Sequence, residues 1–302
     1  MERTVLILGP TGRFGRHAVT AFQAAGWEVR KYDRKTDNLW DAAWGASVIV
    51  NAWNPVYTDW QTDMPKLHAD VREVASASGA TVILPGNVYN FGADMPEVLN
   101  TDTAHTPTTL YGDLRAEMEQ AYRDEGVRTI ILRAGDFIDT EASGNWFDMV
   151  ITKGLSKQKI SYPGCLDTAH AWAYLPDMAR AAVMLAEKRR RLAQFEDVPF
   201  EGFTLSGSDL AAGLSQALDV PVSVSRMSWL PIVLARPFWK MAHPLLAMRY
   251  LWSTPHRLDG TKMAQLLPEF RPTDLTEALR SAVQDHIHPH QTVATRGHTV
   301  RP

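Results

Sequence analysis

Cysteine is almost absent from this chain of 302 residues, which has only Cys165. One cysteine cannot form an intramolecular disulfide, and its rarity is typical of a reducing compartment, so we expect a cytoplasmic protein. A basic surplus is also missing, because 31 lysines and arginines stand against 34 aspartates and glutamates. Proteins that bind nucleic acids usually carry such a surplus, so we expect no nucleic-acid partner. We also expect no basic and apolar leader before the first apolar run.

Long uninterrupted apolar runs are missing as well. The longest candidate, residues 229–252, reads WLPIVLARPFWKMAHPLLAMRYLW and is broken by four basic residues or histidines and three prolines. A membrane-spanning helix needs about twenty mostly apolar residues with few charges, so we expect no transmembrane segment. The pattern instead predicts short helices whose apolar faces cover a pocket or a partner subunit, as in a homodimer. Contact with a membrane surface is the less favoured alternative.

The first half of the chain alternates between two kinds of pattern. Apolar runs rich in β-branched residues predict strands at residues 4–8, 27–33, 47–53, 80–86 and 127–135. Helical patterns lie between them, and glycines end several of these helices. Such alternation predicts an α/β fold, a doubly wound parallel sheet with helices on both faces. After Gly135 the sequence becomes richer in aromatic residues, proline and glycine, and its remainder reads as irregular helix.

Three glycines follow the first predicted strand, in the stretch GPTGRFGR at residues 9–16. In a strand–turn–helix context Gly9 permits the tight turn, Gly12 the approach of a pyrophosphate, and Gly15 close helix packing. The free amides and the dipole at the helix N-terminus favour an anion. We therefore predict a dinucleotide site, whose candidate residues here and after the third strand are Gly9, Thr11, Gly12, Arg13, Phe14, Gly15, Asn51, Ala52 and Trp53.

The end of the second strand bears on the choice of cofactor. Asp33 can accept both ribose hydroxyls of NAD, whereas Arg34 and Lys35 can pair with the 2′-phosphate of NADP. These two cations could equally be solvated loop charges. The sequence leaves the choice open, although Arg30 and Lys31 add to a local positive field that slightly favours NADP.

Six stretches together resemble a known family, and they run in its order over residues 4–187. They are GPTGRFG, SVIVNAW, VILPGNVYNFG, PTTLYGDLRAEME, IILRAGDF and AWAYLPDMARAAVMLAE. The sequence resembles the extended and atypical short-chain dehydrogenase/reductases, the NAD-dependent epimerase/dehydratase group, with NmrA-like proteins nearby. The resemblance implies a Rossmann domain of residues 1–138 and 170–210, to which a strand at FTLSG returns. It implies a smaller, mostly helical substrate-binding part of residues 139–169 and 211–284, and residues 285–302 read as a disordered polar tail.

The resemblance also implies a catalytic set of a tyrosine, a lysine four residues later and a serine or threonine after the fourth strand. Tyr111 matches the tyrosine, the acid/base, but the lysine position is Arg115. Arginine can hold the cofactor ribose, yet it cannot release a proton at neutral pH. Pro85, Gly86 and Asn87 stand where the hydroxyl residue belongs, and Asn87 could polarise a carbonyl through its amide. The bland alternative for Arg115 is a helix-surface charge.

A substrate pocket is expected beyond the carboxyl ends of the strands, where doubly wound sheets bind their ligands. An aromatic lining with a few amides suits an apolar substrate or a sugar stacked on indole rings. Several of these residues could instead be core residues, and His170 reads more readily as structural than as an acid/base because the sequence shows no partner for it. No motif indicates a metal site. The candidate pocket residues are Asn54, Tyr89, Asp136, Asn145, Trp146, His170 and Trp172.

Two functions remain open from the sequence. The favoured one is an NAD(P)-dependent oxidoreductase or epimerase that acts on a small carbonyl or hydroxyl compound with an altered catalytic set. The alternative is a non-catalytic NADP(H)-binding protein that reports redox state to a partner. An intact glycine turn beside altered catalytic positions fits the second, while Tyr111 and the aromatic pocket fit the first.

Overall fold

The structure, a computed structural model, describes residues 3–284. Its strands, β1 to β13 in chain order, are Thr4–Leu8, Glu28–Tyr32, Val48–Asn51, Thr81–Gly86, Val98–Leu99, Thr129–Arg133, Asp136–Ile138, Lys159–Tyr162, Ala171–Tyr174, Phe195–Pro199, Phe203–Thr204, Ser223–Arg226 and Arg257–Leu258. Its α-helices, α1 to α10, are Arg13–Ala24, Leu39–Ala43, Trp60–Ser78, Leu110–Asp124, Leu175–Lys188, Gly207–Leu218, Leu230–Ala235, Ala242–Ala247, Thr261–Leu266 and Leu275–Ala282. The polar tail predicted at residues 285–302 lies outside the described residues.

The central sheet has six parallel strands in the order β10-β6-β4-β3-β1-β2. Strand β1 is apolar after Thr4, and its four apolar residues are fully buried because both faces of the sheet are covered. Val5 and Ile7 face the cluster that α1 and α5 supply, whereas Leu6 and Leu8 face the cluster that α3 and α4 supply. This is the doubly wound α/β fold that the alternating pattern predicts.

The strand that completes this sheet differs from the expected one. Strand β10, Phe195–Pro199, pairs with β6, whereas β11 at FTLSG pairs antiparallel with β9 in a separate three-stranded sheet. FTLSG is therefore not a strand of the central sheet, and its assignment to the Rossmann domain stays a prediction. The sequence FEDVP does not look like a strand because it contains two carboxylates. In the fold these charges are neutralised by cations distant in sequence, since Lys262 pairs with Glu196 and Arg133 pairs with Asp197.

The C-terminal part is built mainly from short helices and a second core. The paired strands β8 and β12 pack with α6 and α10 around a cluster that includes Trp172, Trp229 and Trp252. Residues 229–252 form α7, α8 and a final turn, as the prolines predict. Within residues 3–284, no helix combines the length and the apolar character needed to cross a bilayer. The interleaved domain boundaries stay a prediction.

Candidate functional site

The glycine turn joins β1 to α1 in a conformation that two of its glycines make possible. Gly9 has a φ of +70°, in the left-handed region that other residues rarely adopt. A Cβ on Gly15 would lie 1.9 Å from the Gly9 carbonyl oxygen, so the first turn of α1 packs directly on the loop. Gly12 donates its amide to that same oxygen at 3.0 Å. The turn thus brings the start of α1 against the end of β1.

The N-terminus of α1 has features that suit an anion. Gly12 is its N-cap and supplies no side-chain hydrogen bond, and no acidic residue lies in the first turn. The first amides of a helix and its dipole then attract a negative group such as a pyrophosphate. Thr11 and Arg13 are exposed beside this end, whereas Phe14 is buried in the core.

The loop after β7, at residues 139–144, contacts the start of α1. The Arg13 guanidinium donates to the carbonyls of Ser143, at 3.0 Å, and of Gly144. His17 lies 2.8 Å from Asp139, which also pairs with Arg16. Burial by itself raises the pKa of Asp139, but hydrogen bonds from His17 and Ser143 and the Arg16 charge outweigh it, and the pKa is lowered. Arg13 thus links the glycine turn to the loop at residues 143–144.

The end of β2 presents both candidate cofactor selectors. Asp33 is exposed, and its carboxylate accepts the Lys35 amide at 2.9 Å. The Arg34 guanidinium lies 5.7 Å from the centre of the Trp53 ring. Arg30 is directed elsewhere, because it pairs with Glu28 at 3.0 Å. The local positive field therefore rests on fewer cations than the sequence suggests, and the choice between NAD and NADP stays open.

Residues after β3 divide between the edge and the interior. The Ala52 carbonyl would lie 3.0 Å from a Cβ on Gly9, so this backbone touches the glycine turn. Asn54 is exposed, whereas Asn51 is buried with its amide 3.3 Å from Nδ1 of His68 on α3. Burial, followed by nearby arginine charges, holds the pKa of His68 well below its ordinary value. The Asn51 side-chain nitrogen thus contacts His68 inside the fold, whereas its buried side-chain oxygen has no hydrogen-bond partner among the described residues.

The predicted catalytic positions lie around the N-terminal turn of α4. Tyr111 is partly buried, with its ring edge-on to Tyr57 at 5.6 Å and to Trp60 at 5.9 Å. Burial raises the pKa of the Tyr111 hydroxyl, so this side chain is not held as a phenolate. The start of α4 packs on the loop after β4, because a Cβ on Gly112 would lie 2.5 Å from the Tyr89 carbonyl.

The side chains of Arg115 and Asn87 both form hydrogen bonds with the backbone. Arg115 is buried, donates to the Pro85 carbonyl at 2.5 Å and approaches Glu119 to 4.0 Å. The alternative of a helix-surface charge is therefore wrong for Arg115. The Asn87 side-chain oxygen accepts the Tyr89 amide at 3.0 Å and so shapes the turn after β4.

A tyrosine pair that the sequence analysis missed lies beside Tyr111. The hydroxyls of Tyr57 and Tyr89 are 2.5 Å apart. Burial raises the pKa of both, and that of Tyr89 stands well above its ordinary value. Tyr57 follows β3 closely, so the argument from strand ends could have found it, although only the fold reveals its pairing with Tyr89.

His170 has the partner that the sequence could not show. Its Nε2 lies 2.8 Å from a carboxylate oxygen of Asp136, and its ring stacks on Trp252 at 4.4 Å. The ring of His256 packs edge-on against the His170 ring at 4.5 Å, and burial lowers the pKa of His256 to about 3. His256 is therefore neutral near pH 7, and Asp136 is the ionisable partner of His170.

Two predicted pocket residues have structural roles instead. Trp172 is fully buried, and its indole donates to the Leu205 carbonyl at 3.2 Å. The pocket prediction is thus wrong for Trp172, because β9 carries it into the second core. Asn145 is buried, and its side-chain oxygen accepts a hydrogen bond from the Asp148 backbone amide at 3.1 Å. This bond orders the turn whose carbonyls accept from Arg13.

A narrow cavity brings several of these groups together at the carboxyl ends of the strands. Part of the segment at residues 229–252 forms one wall, but the cavity holds only about 10 Å³, so the expectation that this segment covers a pocket or a partner subunit stays a prediction. The lining residues are Tyr57, Tyr89, Asp136, Trp146, Pro244, Leu245, Met248, Leu251 and Trp252.

A cluster of buried charged residues contacts the turn after β4. Arg133, at the end of β6, lies 2.7 Å from Glu119 and 2.6 Å from Asp197. It also donates to the Asn87 carbonyl at 2.7 Å, which holds the turn after β4. Among the described residues, His105, Glu119 and Asp197 are close enough to hold a metal ion. The Arg133 guanidinium already supplies the positive charge there, so we read the cluster as structural.

Solved structures of known enzymes share this architecture, although no protein-family model and no curated protein matches the chain. MoeE5 in complex with UDP-glucose and NAD has 16% sequence identity and a TM-score of 0.71, and the match covers 93% of this chain and 97% of that one. A GalE-like L-threonine dehydrogenase from Cupriavidus necator has 16% identity and a TM-score of 0.71, covering 94% and 99%. A dTDP-4-dehydrorhamnose reductase from Yersinia enterocolitica has 16% identity and a TM-score of 0.69, covering 94% and 99%. Over nearly its whole described length, the chain therefore has the Rossmann fold of these enzymes.

Proposed function

We propose that the chain binds a nicotinamide dinucleotide at the glycine turn and acts as an oxidoreductase or epimerase of the extended short-chain dehydrogenase type. One observation carries this proposal. Gly15 packs against the Gly9 carbonyl, so helix α1 begins directly at the end of β1, and its N-terminus has no side-chain cap. Such a terminus fits a pyrophosphate. The likeness to MoeE5, whose structure contains NAD, supports the same ligand.

The substrate in this proposal is a small carbonyl or hydroxyl compound held by residues 139–169 and 211–284. Trp146 is partly exposed in the lining of the cavity and offers an indole ring for stacking, and Asp136 offers a hydrogen-bond acceptor. MoeE5 holds UDP-glucose and the Yersinia enterocolitica enzyme is a dTDP-sugar reductase, which supports nucleotide sugars as the first compounds to test.

The chemistry would be divided between the cofactor and the chain. A bound nicotinamide would supply or accept a hydride. Tyr111 would exchange the proton of the substrate oxygen, and Asn87 would polarise that oxygen through its amide. Arg115 would keep positive charge beneath the site, because its contact with the Pro85 carbonyl fixes it close to the end of β4.

One observation favours the non-catalytic alternative. In the family that the sequence resembles, a lysine favours the tyrosinate, whereas here burial raises the pKa of Tyr111 and Arg115 is bonded to Pro85. A redox-reporting protein needs the dinucleotide site without this activation. Binding is thus common to both functions, and turnover separates them.

Dinucleotide binding is expected to raise the melting temperature. A ligand at one hundred times its dissociation constant stabilises the folded state by about 2.7 kcal/mol. For a chain of this size the shift is about 5 °C. Melting curves with NAD, NADH, NADP and NADPH measure both binding and preference.

Gly12→Val tests whether the shift arises at the glycine turn. Its Cβ would lie 3.2 Å from the Gly9 carbonyl, where further methyl groups obstruct a pyrophosphate, so we expect the shift to disappear. Ala24→Val adds the same side chain at the exposed end of α1 and should keep the shift. No shift with any of the four ligands, or an undiminished shift in Gly12→Val, would refute the proposal.

Arg34→Ala is expected to weaken NADP binding by about 1.5–3 kcal/mol through loss of charge-assisted hydrogen bonds to the 2′-phosphate. NAD binding should be unchanged, and calorimetric titration of both cofactors measures the difference. Arg30→Ala is the matched control, because that guanidinium is paired with Glu28. Equal losses for NAD and NADP would make Arg34 structural, and tighter NAD than NADP binding in the unaltered protein would make Asp33 the selector.

A further inference from the structure

Five large exposed apolar side chains cluster on α7 and the turn that follows it. The exposed fraction is 61% for Leu230, 67% for Leu234 and 92% for Phe238. Val233 and Trp239 are also exposed, and we call these five residues the apolar tip. Leu230, Val233 and Leu234 have the spacing of one helix face. Soluble monomers rarely expose such a patch without a partner for it.

The charges around the apolar tip have one sign. Residues 220–258 contain no aspartate or glutamate but five arginines and lysines. Arg236 and Lys240 are exposed beside the residues of the apolar tip. Neither forms an ion pair with a carboxylate among the described residues. The basic residues of this segment are Arg226, Arg236, Lys240, Arg249 and Arg257.

The shape of the segment suits a surface rather than a span. Prolines limit α7 and α8 to six residues each, too short to cross a bilayer. Apolar side chains on one face, basic residues beside them and an exposed tryptophan are the features of a segment that lies in the headgroup region.

We propose that the apolar tip docks on the surface of a bilayer that contains anionic phospholipids. A second copy of the chain fits less well, because a two-fold contact would bring Arg236 and Lys240 of both copies together with no carboxylate in the segment to offset them. Anionic headgroups supply that missing charge, and each cation near such a surface adds to the affinity.

Docking would place the substrate cavity next to the membrane. The wall of the cavity includes Pro244 and Leu245 of α8 and Met248 just after it, directly downstream of the tip. The inference itself depends only on the surface of the segment and does not require the proposed dinucleotide chemistry.

Vesicle flotation of the full chain tests this inference. With phosphatidylcholine vesicles alone we expect little binding, and with added phosphatidylglycerol we expect the protein to float. The pair Arg236→Gln and Lys240→Gln should reduce the partition coefficient about 30-fold. The pair Leu234→Ser and Phe238→Ser should reduce it at least about 100-fold, because both apolar side chains are withdrawn from the lipid.

The matched control replaces exposed apolar residues elsewhere. Trp40→Ser with Trp44→Ser removes two exposed tryptophans and should float like the unaltered protein. The melting temperature without ligand, followed by circular dichroism, checks that each variant is folded. Absence of flotation with either vesicle, or equal flotation of the Leu234 and Phe238 variant, overturns the proposal. So does a dimer in size-exclusion chromatography that this variant abolishes without any binding of vesicles, which would assign the tip to a second copy.

Discussion

Tyr111→Phe is expected to lower turnover by about 10²–10⁴-fold, the usual effect of removing a positioned general acid. The ring stays packed against Tyr57 and Trp60, so the fold and the dinucleotide affinity should be preserved. Turnover is measured by NAD(P)H absorbance on a panel of nucleotide sugars, L-threonine and small carbonyl compounds. The unaltered protein is assayed first to find the substrate.

Three variants accompany this measurement. Tyr174→Phe removes a hydroxyl that contacts Ser281 at 2.7 Å in the second core, and it should leave turnover unchanged. Arg115→Lys restores the residue of the resembled family, and we expect a gain in rate or a lower pH optimum because an ammonium can couple to the tyrosine. Asp136→Asn tests a second candidate group, the Asp136 carboxylate, which lines the cavity and lies 2.8 Å from Nε2 of His170.

The outcomes distinguish the mechanisms. Turnover that survives Tyr111→Phe but falls in Asp136→Asn would transfer the acid/base role to the Asp136 and His170 pair. Turnover that survives both would refute the assigned mechanism while leaving an enzyme. Tight dinucleotide binding without turnover in any of these proteins would favour the redox-reporting function.

Arg133→Met is expected to lower the free energy of unfolding by about 3–5 kcal/mol, because it removes the cation of Asp197 and the nearer of the two cations beside the buried Glu119 carboxylate. Methionine keeps much of the volume, so lost packing contributes little. Urea unfolding followed by circular dichroism measures the change, with the slope of the transition checked for two-state behaviour.

A surface pair provides the contrast for this measurement. Arg3→Met breaks the exposed pair with Glu187 and should cost less than about 1 kcal/mol. Adding Glu119→Gln to Arg133→Met should recover part of the loss, since one uncompensated carboxylate is removed. A loss as small as that of Arg3→Met would show that the cluster is solvated in solution.

Local patterns were enough to predict the sheet and the turn. The four consecutive apolar residues of β1 require cover on both faces, and the glycine spacing anticipates the close approach of Gly15 to Gly9. These features depend on residues that are neighbours in sequence. The periodicity of strands and helices carries the same kind of information, so the fold class followed from it.

Pairings between distant residues could not be predicted in this way. Asp136 and His170 are 34 residues apart, and Tyr57 and Tyr89 are 32 apart, so nothing local connects them. Strand β10 was missed because its carboxylates look like loop residues until Arg133 and Lys262 are placed beside them. Trp172 was assigned to the pocket because it lies near the end of a predicted strand. The sequence alone does not distinguish an indole that faces a ligand from one that donates to the Leu205 carbonyl.

The position of β10 at the edge of the sheet also bears on how the chain folds. Arg133 and Asp197 meet across a separation of 64 residues, and the intervening chain includes the turn gripped by Arg13, strand β9 and helix α5. Closing so long a loop costs entropy before the strand pairing repays it, and such non-local contacts slow folding. We therefore expect the other five strands of the central sheet, β1, β2, β3, β4 and β6, to gain protection from hydrogen exchange earlier than β10 during refolding.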